Sequence, residues 1–287
     1  NYAFSLSFTH LYLSNISGGL GGFVINGQTA GDTSAWSVSG AGDVNGDGLD
    51  DLIVGAPYAD LSSSLGDAGR SYVVFGKSTG GAINLSAVAE GLGGFVINGV
   101  TGKESQFGIG YDSDQSGWSA SNAGDMNGDG LSDLLVSAMT GDPAGKNNAG
   151  ASYVVYGKTN GSTLTLGSGG TIAAANGFML TGNASDRAGF SVSGAGDING
   201  DGLEDILIND GSNAANAYVV FGKTSDAPVQ VSDLAASHGG FLLTGMGTSG
   251  IADVAMVGDF NGDGLTDVIV THANAPYVNN GVTNASA

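Results

Sequence analysis

The chain has 287 residues, a formal net charge of −20, 53 glycines and no Cys, and 24 of its 27 acids are Asp. So few basic residues argue against a nucleic-acid partner; the missing thiols exclude disulfide staples and thiolate metal sites; and no apolar run approaches the ~20 residues of a membrane-spanning helix. Glycine at this density weakens helices, the 41% apolar content suffices to bury a core, and Asp suits tight turns and cation ligation, so composition points to an all-β chain with Asp-bearing loops.

The chain begins at Asn1 without Met or a basic-then-apolar leader, as a processed product or a fragment would. The first strand-like segments are FSLSFTH (4–10) and GGFVING (21–27). AWSVSGAG (35–42), the acidic loop GDVNGDGLDD (42–51) and the apolar run LIV (52–54) follow. A short β-branched or leucine run directly after a turn reads as a buried strand. SYVVFGK (71–77) and GGFVING (93–99) are strand-like again. The order then repeats, with loops GDMNGDGLSD (124–133), GDINGDGLED (196–205) and GDFNGDGLTD (258–267). SYVVYGK (152–158) and AYVVFGK (217–223) fill the YVVFG place, and NGFMLTG (176–182) and GGFLLTG (239–245) the GGF place. Each unit is thus expected to form four short antiparallel strands, A-loop-B-C-D. One such sheet cannot bury both faces alone, so the units must stack.

The repeats run out of phase with the chain: a GGF strand precedes the first loop and none follows the last. Strand 22–26 is therefore expected to complete the sheet begun by 249–272, with 4–10 or 276–279 as the fourth C strand. The expected fold is an all-β propeller of four-stranded antiparallel blades forming one domain over 1–287. Its units lie near 28–99, 100–182, 183–245 and 246–287, the last closed by 4–27. Four units make either a closed four-blade ring or part of a larger propeller, within the roughly four to eight blades such folds have.

In the first loop, oxygen-bearing side chains stand at positions 1, 3, 5 and 9: Asp43, Asn45, Asp47 and Asp51. Gly48 permits a sharp turn, and the Leu49 carbonyl at position 7 can face inward. The other copies supply Asp125, Asn127, Asp129, Leu131 and Asp133; Asp197, Asn199, Asp201, Leu203 and Asp205; and Asp259, Asn261, Asp263, Leu265 and Asp267. Hard oxygens in this order suit Ca²⁺, about one ion per loop and about four in all. Asn-Gly and Asp-Gly are turn signals by themselves, but a bare turn has no need of Asp at positions 1, 5 and 9. Mg²⁺ fits less well, because it retains waters and demands tight octahedral geometry. Position 12 is Val54, Val136, Ile208 or Val270, so the loop is not an EF-hand.

Strand, DxNxDGxxD loop, DLIVGAP strand and YVVFG strand together resemble the FG-GAP repeat, which builds the β-propeller of integrin alpha subunits and of many bacterial surface proteins. The resemblance covers about residues 20–272, with Gly55-Ala56-Pro57 a literal GAP and Phe107-Gly108 an FG. GAP becomes Ser137-Ala138-Met139, Asn209-Asp210-Gly211 and Thr271-His272-Ala273 in the other units. The near-identical copies are more like the bacterial members. Integrin-type propellers have seven blades, whereas four loops are present here. The resemblance implies ions held in hairpins on one face, in a structural role, and a secreted or cell-surface setting.

No catalytic site is expected: His10, His238 and His272 lie in different contexts, none in a nucleophile motif. The 103–118 insertion offers Lys103, Glu104, Tyr111, Asp112, Asp114 and Trp118 to a protein or glycan ligand. The favoured reading is a solvated loop with Trp118 buried as part of strand A, because Trp36 occupies the matching strand position in the first unit. N-x-S/T sequons at Asn15, Asn84, Asn160, Asn183 and Asn284 fit a surface protein. The leading expectation is a secreted calcium-binding propeller acting in extracellular adhesion or in a structural role at the cell surface. The alternatives are a subunit of an extracellular fibre built by strand exchange between chains, and a non-catalytic module of a larger secreted enzyme.

Overall fold

A computed structural model describes residues 12–19, 21–63, 65–99, 113–167, 171–211, 216–237, 239–244 and 251–272. A short helix, α1 (Leu13–Ser17), precedes strand β1 (Ile25–Asn26). Unit I contains β2 (Ser37–Gly42), β3 (Asp51–Ala56), β4 (Arg70–Val74), β5 (Ile83–Asn84), helix α2 (Leu85–Ala89) and β6 (Gly94–Asn98). Unit II repeats the pattern with β7 (Ala120–Gly124), β8 (Asp133–Ala138), β9 (Ala151–Val155), β10 (Leu164–Thr165) and β11 (Gly177–Thr181). Unit III has β12 (Ala188–Gly196), β13 (Asp205–Asp210), β14 (Ala217–Val220), β15 (Val229–Gln230), helix α3 (Leu234–Ser237) and β16 (Gly240–Leu243). Unit IV contributes β17 (Ile251–Gly258) and β18 (Asp267–His272).

Units I to III each form the expected antiparallel A-B-C-D sheet: β2-β3-β4-β6, β7-β8-β9-β11 and β12-β13-β14-β16. The B strands of units II and III sit mid-sheet with neighbouring units on both faces, which is why they read as unbroken apolar runs; every residue of β8 and β13 is buried. Alternate side chains point to opposite faces. Ala41, Val44 and Ile53 of unit I thereby pack with Ala120, Leu134 and Val136 of unit II. Ala123, Met126 and Leu135 of unit II pack with Val192 and Ile206 of unit III, and Ala195 and Leu207 of unit III with Val254 of unit IV.

One feature departs from the sequence reading. The connector between C and D strands adds a two-residue strand that pairs in parallel with the D strand of the preceding unit: β10 with β6, and β15 with β11. Two residues carry no readable period, so this strand left no signal. Ring closure runs through residues outside the described ones. β1 pairs in parallel with β5, the same relation one unit earlier, and no strand among the described residues links it to the β17–β18 pair. Both 4–10 and 276–279 lie outside the described residues. Val38 at the start of the stack and Phe260 at its end are both exposed.

Candidate metal centre

The four acidic loops join A to B strands and therefore share one edge of the stack. Each leaves its A strand through a bulge, at Gly40/Gly42 in unit I and at the matching places in units II, III and IV. The last glycine of each bulge (Gly42, Gly124, Gly196, Gly258) has φ between +67° and +69°, a left-handed conformation that glycine adopts without strain.

Within the first loop, the Gly46 and Asp47 N–H groups donate to Asp43 Oδ1 at 2.7 and 3.1 Å, and Gly48 N–H donates to Asp43 Oδ2 at 2.8 Å. Asp47 N–H also donates to Asn45 Oδ1 (2.8 Å), and Leu49 N–H to Asp47 Oδ1 (2.9 Å). The Gly48 N–H foremost, with those of Gly46 and Asp47, holds the Asp43 carboxyl below the usual carboxylate range. The same bonds recur around Asp125, Asn127 and Asp129, around Asp197, Asn199 and Asp201, and around Asp259, Asn261 and Asp263. Leu131, Leu203 and Leu265, like Leu49, close their turns through their N–H groups.

Position 9 is different. Asp51, Asp133, Asp205 and Asp267 are buried. Asp51 Oδ2 accepts Val44 N–H (3.0 Å) and Oδ1 accepts Gly76 N–H (2.7 Å), tying the loop to the end of the C strand. Asp133 takes Met126 and Gly157 N–H in the same way, and Asp205 takes those of Ile198 and Gly222. Asp267 accepts from Phe260 and Asn261. Burial pushes the Asp133 carboxyl up to about 7 and Asp205 up to about 6, with the Asp129 and Asp201 carboxylates adding to the rise, and Asp51 is also raised by burial. Among the described residues no three acidic, His or Cys side chains converge as a metal-holding group. Sequence spacing thus places positions 1, 3 and 5 in one turn and position 9 beneath it, on backbone donors.

The donors suit a hard cation. They are carboxylate, amide and carbonyl oxygens only, and Asp43 Oδ2, Asp51 Oδ1 and Asp51 Oδ2 each accept one N–H, leaving a second lone pair. A divalent ion would also relieve the carboxylate repulsion that adds to the burial-driven rise of Asp51, Asp133 and Asp205. The row is tied along the stack: Ser132 N–H donates to Asp43 O (3.0 Å), Glu204 N–H to Asp125 O (3.3 Å), Lys158 N–H to Val44 O (2.9 Å) and Lys223 N–H to Met126 O (3.0 Å).

Of the other singled-out residues, Trp118 lies just before β7 and stacks against Trp36 (4.9 Å between ring centroids) and Phe190 (6.1 Å). It belongs to an aromatic row linking three units. Lys103, Glu104, Phe107, Gly108, Tyr111, Asp112, His10 and His238 lie outside the described residues. No helix among the described residues is long and apolar enough to cross a membrane.

The FG-GAP repeat family model matches residues 34–74 and 116–155, the A-loop-B-C portions of units I and II. The chain is 34% identical to integrin alpha pat-2 of Caenorhabditis briggsae over 167 residues, covering 58% of this chain and 12% of the relative. It is 27% identical to integrin alpha-PS2 of Drosophila melanogaster over 221 residues, or 75% and 14%. Against integrin alpha-4 of Xenopus laevis the identity is 29% over 168 residues, or 58% and 13%. The chain carries FG-GAP repeats, is integrin alpha-like over them, and spans about one eighth of the length of these relatives.

Proposed function

With FG-GAP repeats in place and integrin alpha subunits among its relatives, we propose that this chain is a calcium-binding β-propeller module of the cell surface or extracellular space, serving adhesion through a protein or glycan ligand. Asp43, Asn45, Asp47, Leu49 and Asp51, with their counterparts in the other three loops, would hold about one Ca²⁺ each. The ion supplies charge neutralisation and cross-linking within the loop. The observation that carries the reading is the fourfold recurrence of one turn geometry with acids at positions 1, 5 and 9, aligned along a single edge. Each position-9 carboxyl lies beneath its turn, so a cation above it would stiffen loop and C strand together.

Calorimetric titration of the chelated protein tests this. About four Ca²⁺ per chain are expected, at the roughly 10⁻⁴–10⁻³ M affinity of extracellular calcium modules. The double variant Asp43→Ala/Asp47→Ala should bind about one ion fewer. An unchanged ion count in that variant, or no calcium uptake by the parent, removes the calcium reading. Adhesion is tested separately, as calcium-dependent capture of matrix proteins or arrayed glycans that chelation abolishes.

A further inference from the structure

Along the acidic-loop edge, the junctions between units I and II and between units II and III are built alike but filled differently. At the first, the turn after the C strand of unit II lies against unit I: a Cβ on Gly161 would stand 2.8 Å from the Gly91 carbonyl oxygen and 2.9 Å from that of Gly94. At the second, the matching turn of unit III, Thr224, Ser225 and Asp226, is exposed. It lines a groove of about 390 Å³, within the roughly 300–1,000 Å³ of small-ligand sites. Unit II lines the same groove with Asn127 and Asp129 of its acidic loop, and with Tyr156 and Ala174.

Tyr156 sets this groove apart. The same C-strand end carries Phe75 in unit I and Phe221 in unit III. All three rings stand edge-on to the D-strand phenylalanine of their own sheet, at 6.0, 6.4 and 6.0 Å between centroids. The fold therefore places the ring, and the hydroxyl is an addition to it. Burial, then Asp133, Asp226 and Asp129, raise that hydroxyl above its ordinary value, so it keeps its proton and acids of both units lie within its electrostatic reach. The cavity beside Phe75 has no carboxylate among its described lining residues. None of the described lining residues of the Tyr156 groove is basic. Lys223, at the root of the turn, is engaged elsewhere: its Nζ donates to the Ala227 carbonyl and lies 3.9 Å from the centre of the Phe178 ring.

We propose that this groove binds one neutral pyranose residue of a glycan, with a C–H face on the Tyr156 ring and hydroxyls on the Tyr156 hydroxyl, Thr224, Ser225 and Asp226. The assignment rests on the adhesion reading above and gives its ligand a class and a place. An aromatic face bordered by hydroxyls and acceptors matches a sugar, which offers an apolar C–H face and a rim of hydroxyls. The carboxylates repel sialylated and sulfated sugars. A lysine-rich segment fits less well, because Asp129 Oδ1 and Oδ2 already accept from Leu131 N–H (2.9 Å) and Asn127 Nδ2 (3.0 Å), and a cation in the loop would neutralise this acid. Asp226 is then the one described lining carboxylate outside the loop.

Arrayed neutral oligosaccharides of glucose, galactose, mannose and N-acetylglucosamine test the site in calcium, with sialylated and sulfated glycans and an octalysine peptide alongside. The parent should retain neutral glycans and neither of the charged classes. Tyr156→Phe restores the ring found in units I and III, so its melting temperature and calcium count should match the parent's. Its affinity for the best-retained glycan, titrated in solution, should fall about three- to tenfold. Asp226→Ala, at an exposed position, should weaken binding in the same way, whereas Phe221→Tyr should leave it unchanged. A calcium-loaded parent that retains no neutral glycan overturns the proposal. So does preference for sulfated glycans or octalysine, or parent-like binding by both Tyr156→Phe and Asp226→Ala. Retention that survives chelation yet falls in Tyr156→Phe supports the groove and counts against the calcium reading instead.

Discussion

The position-9 aspartates show how one residue type serves two purposes. Asp133 is a sequence-predicted ligand, yet its two oxygens hold the N–H groups of Met126 and Gly157, the latter 24 residues away. Asp133→Ala should leave both donors buried without an acceptor, costing on the order of 1–3 kcal/mol for each in urea unfolding. Asp133→Asn, which keeps one acceptor oxygen, should cost less. The raised carboxyl also sets the sign of a pH effect. Its folded-state value of about 7 lies above the ordinary 3.8, so the folded chain holds this proton more tightly than the unfolded one. Stability from this group is present at low pH and lost as pH rises toward and through 7. In chelator, the melting temperature should therefore be higher near about pH 5 than near about pH 8. Saturating calcium should reverse the trend, since the ion binds the deprotonated acid. The acid itself was legible from spacing. Its backbone partner was not, because only the folded sheet brings Gly157 under the loop.

At the scale of the element, the loop geometry was almost entirely local. Positions 1 to 7 close through bonds spanning two to five residues, and the glycines stand where φ is positive. Gly48 (φ +86°) has open space around its missing side chain, whereas a Cβ on Gly42 (φ +67°) would lie 2.3 Å from Ser132 Oγ. Gly48→Ala should thus carry only the left-handed backbone cost, about 1–2 kcal/mol, and weaken calcium binding in that one loop. Gly42→Ala should cost more, because it also disturbs the junction with unit II, and the difference between their urea midpoints checks this. The A, B, C and D strands were readable from apolar runs and glycine punctuation. Strands β5, β10 and β15 were not, since their stability comes from pairing with another unit's edge.

For the whole molecule, the repeats behave as a stack in which each unit is stabilised by its neighbours. Units II and III are covered on both faces, while unit IV has two strands among the described residues and an uncovered trailing face. Amide hydrogen exchange should be slowest in β8 and β13 and fastest in β18, because repeat arrays open from their ends. Equal protection along the stack would mean that the ends are covered in solution.

By itself the sequence determined what is encoded within about ten residues: the four oxygen-rich turns, the strand order of each unit and the need to stack. These depend on turn chemistry and on the alternation of side chains, both local. Only the tertiary structure decided that the C–D connectors add a strand beside the preceding unit, that β1 pairs with β5 of unit I, and that the position-9 acids brace the C strand. The turn between successive units is set by the summed fit of many side chains across each junction, and no short stretch of sequence carries that sum.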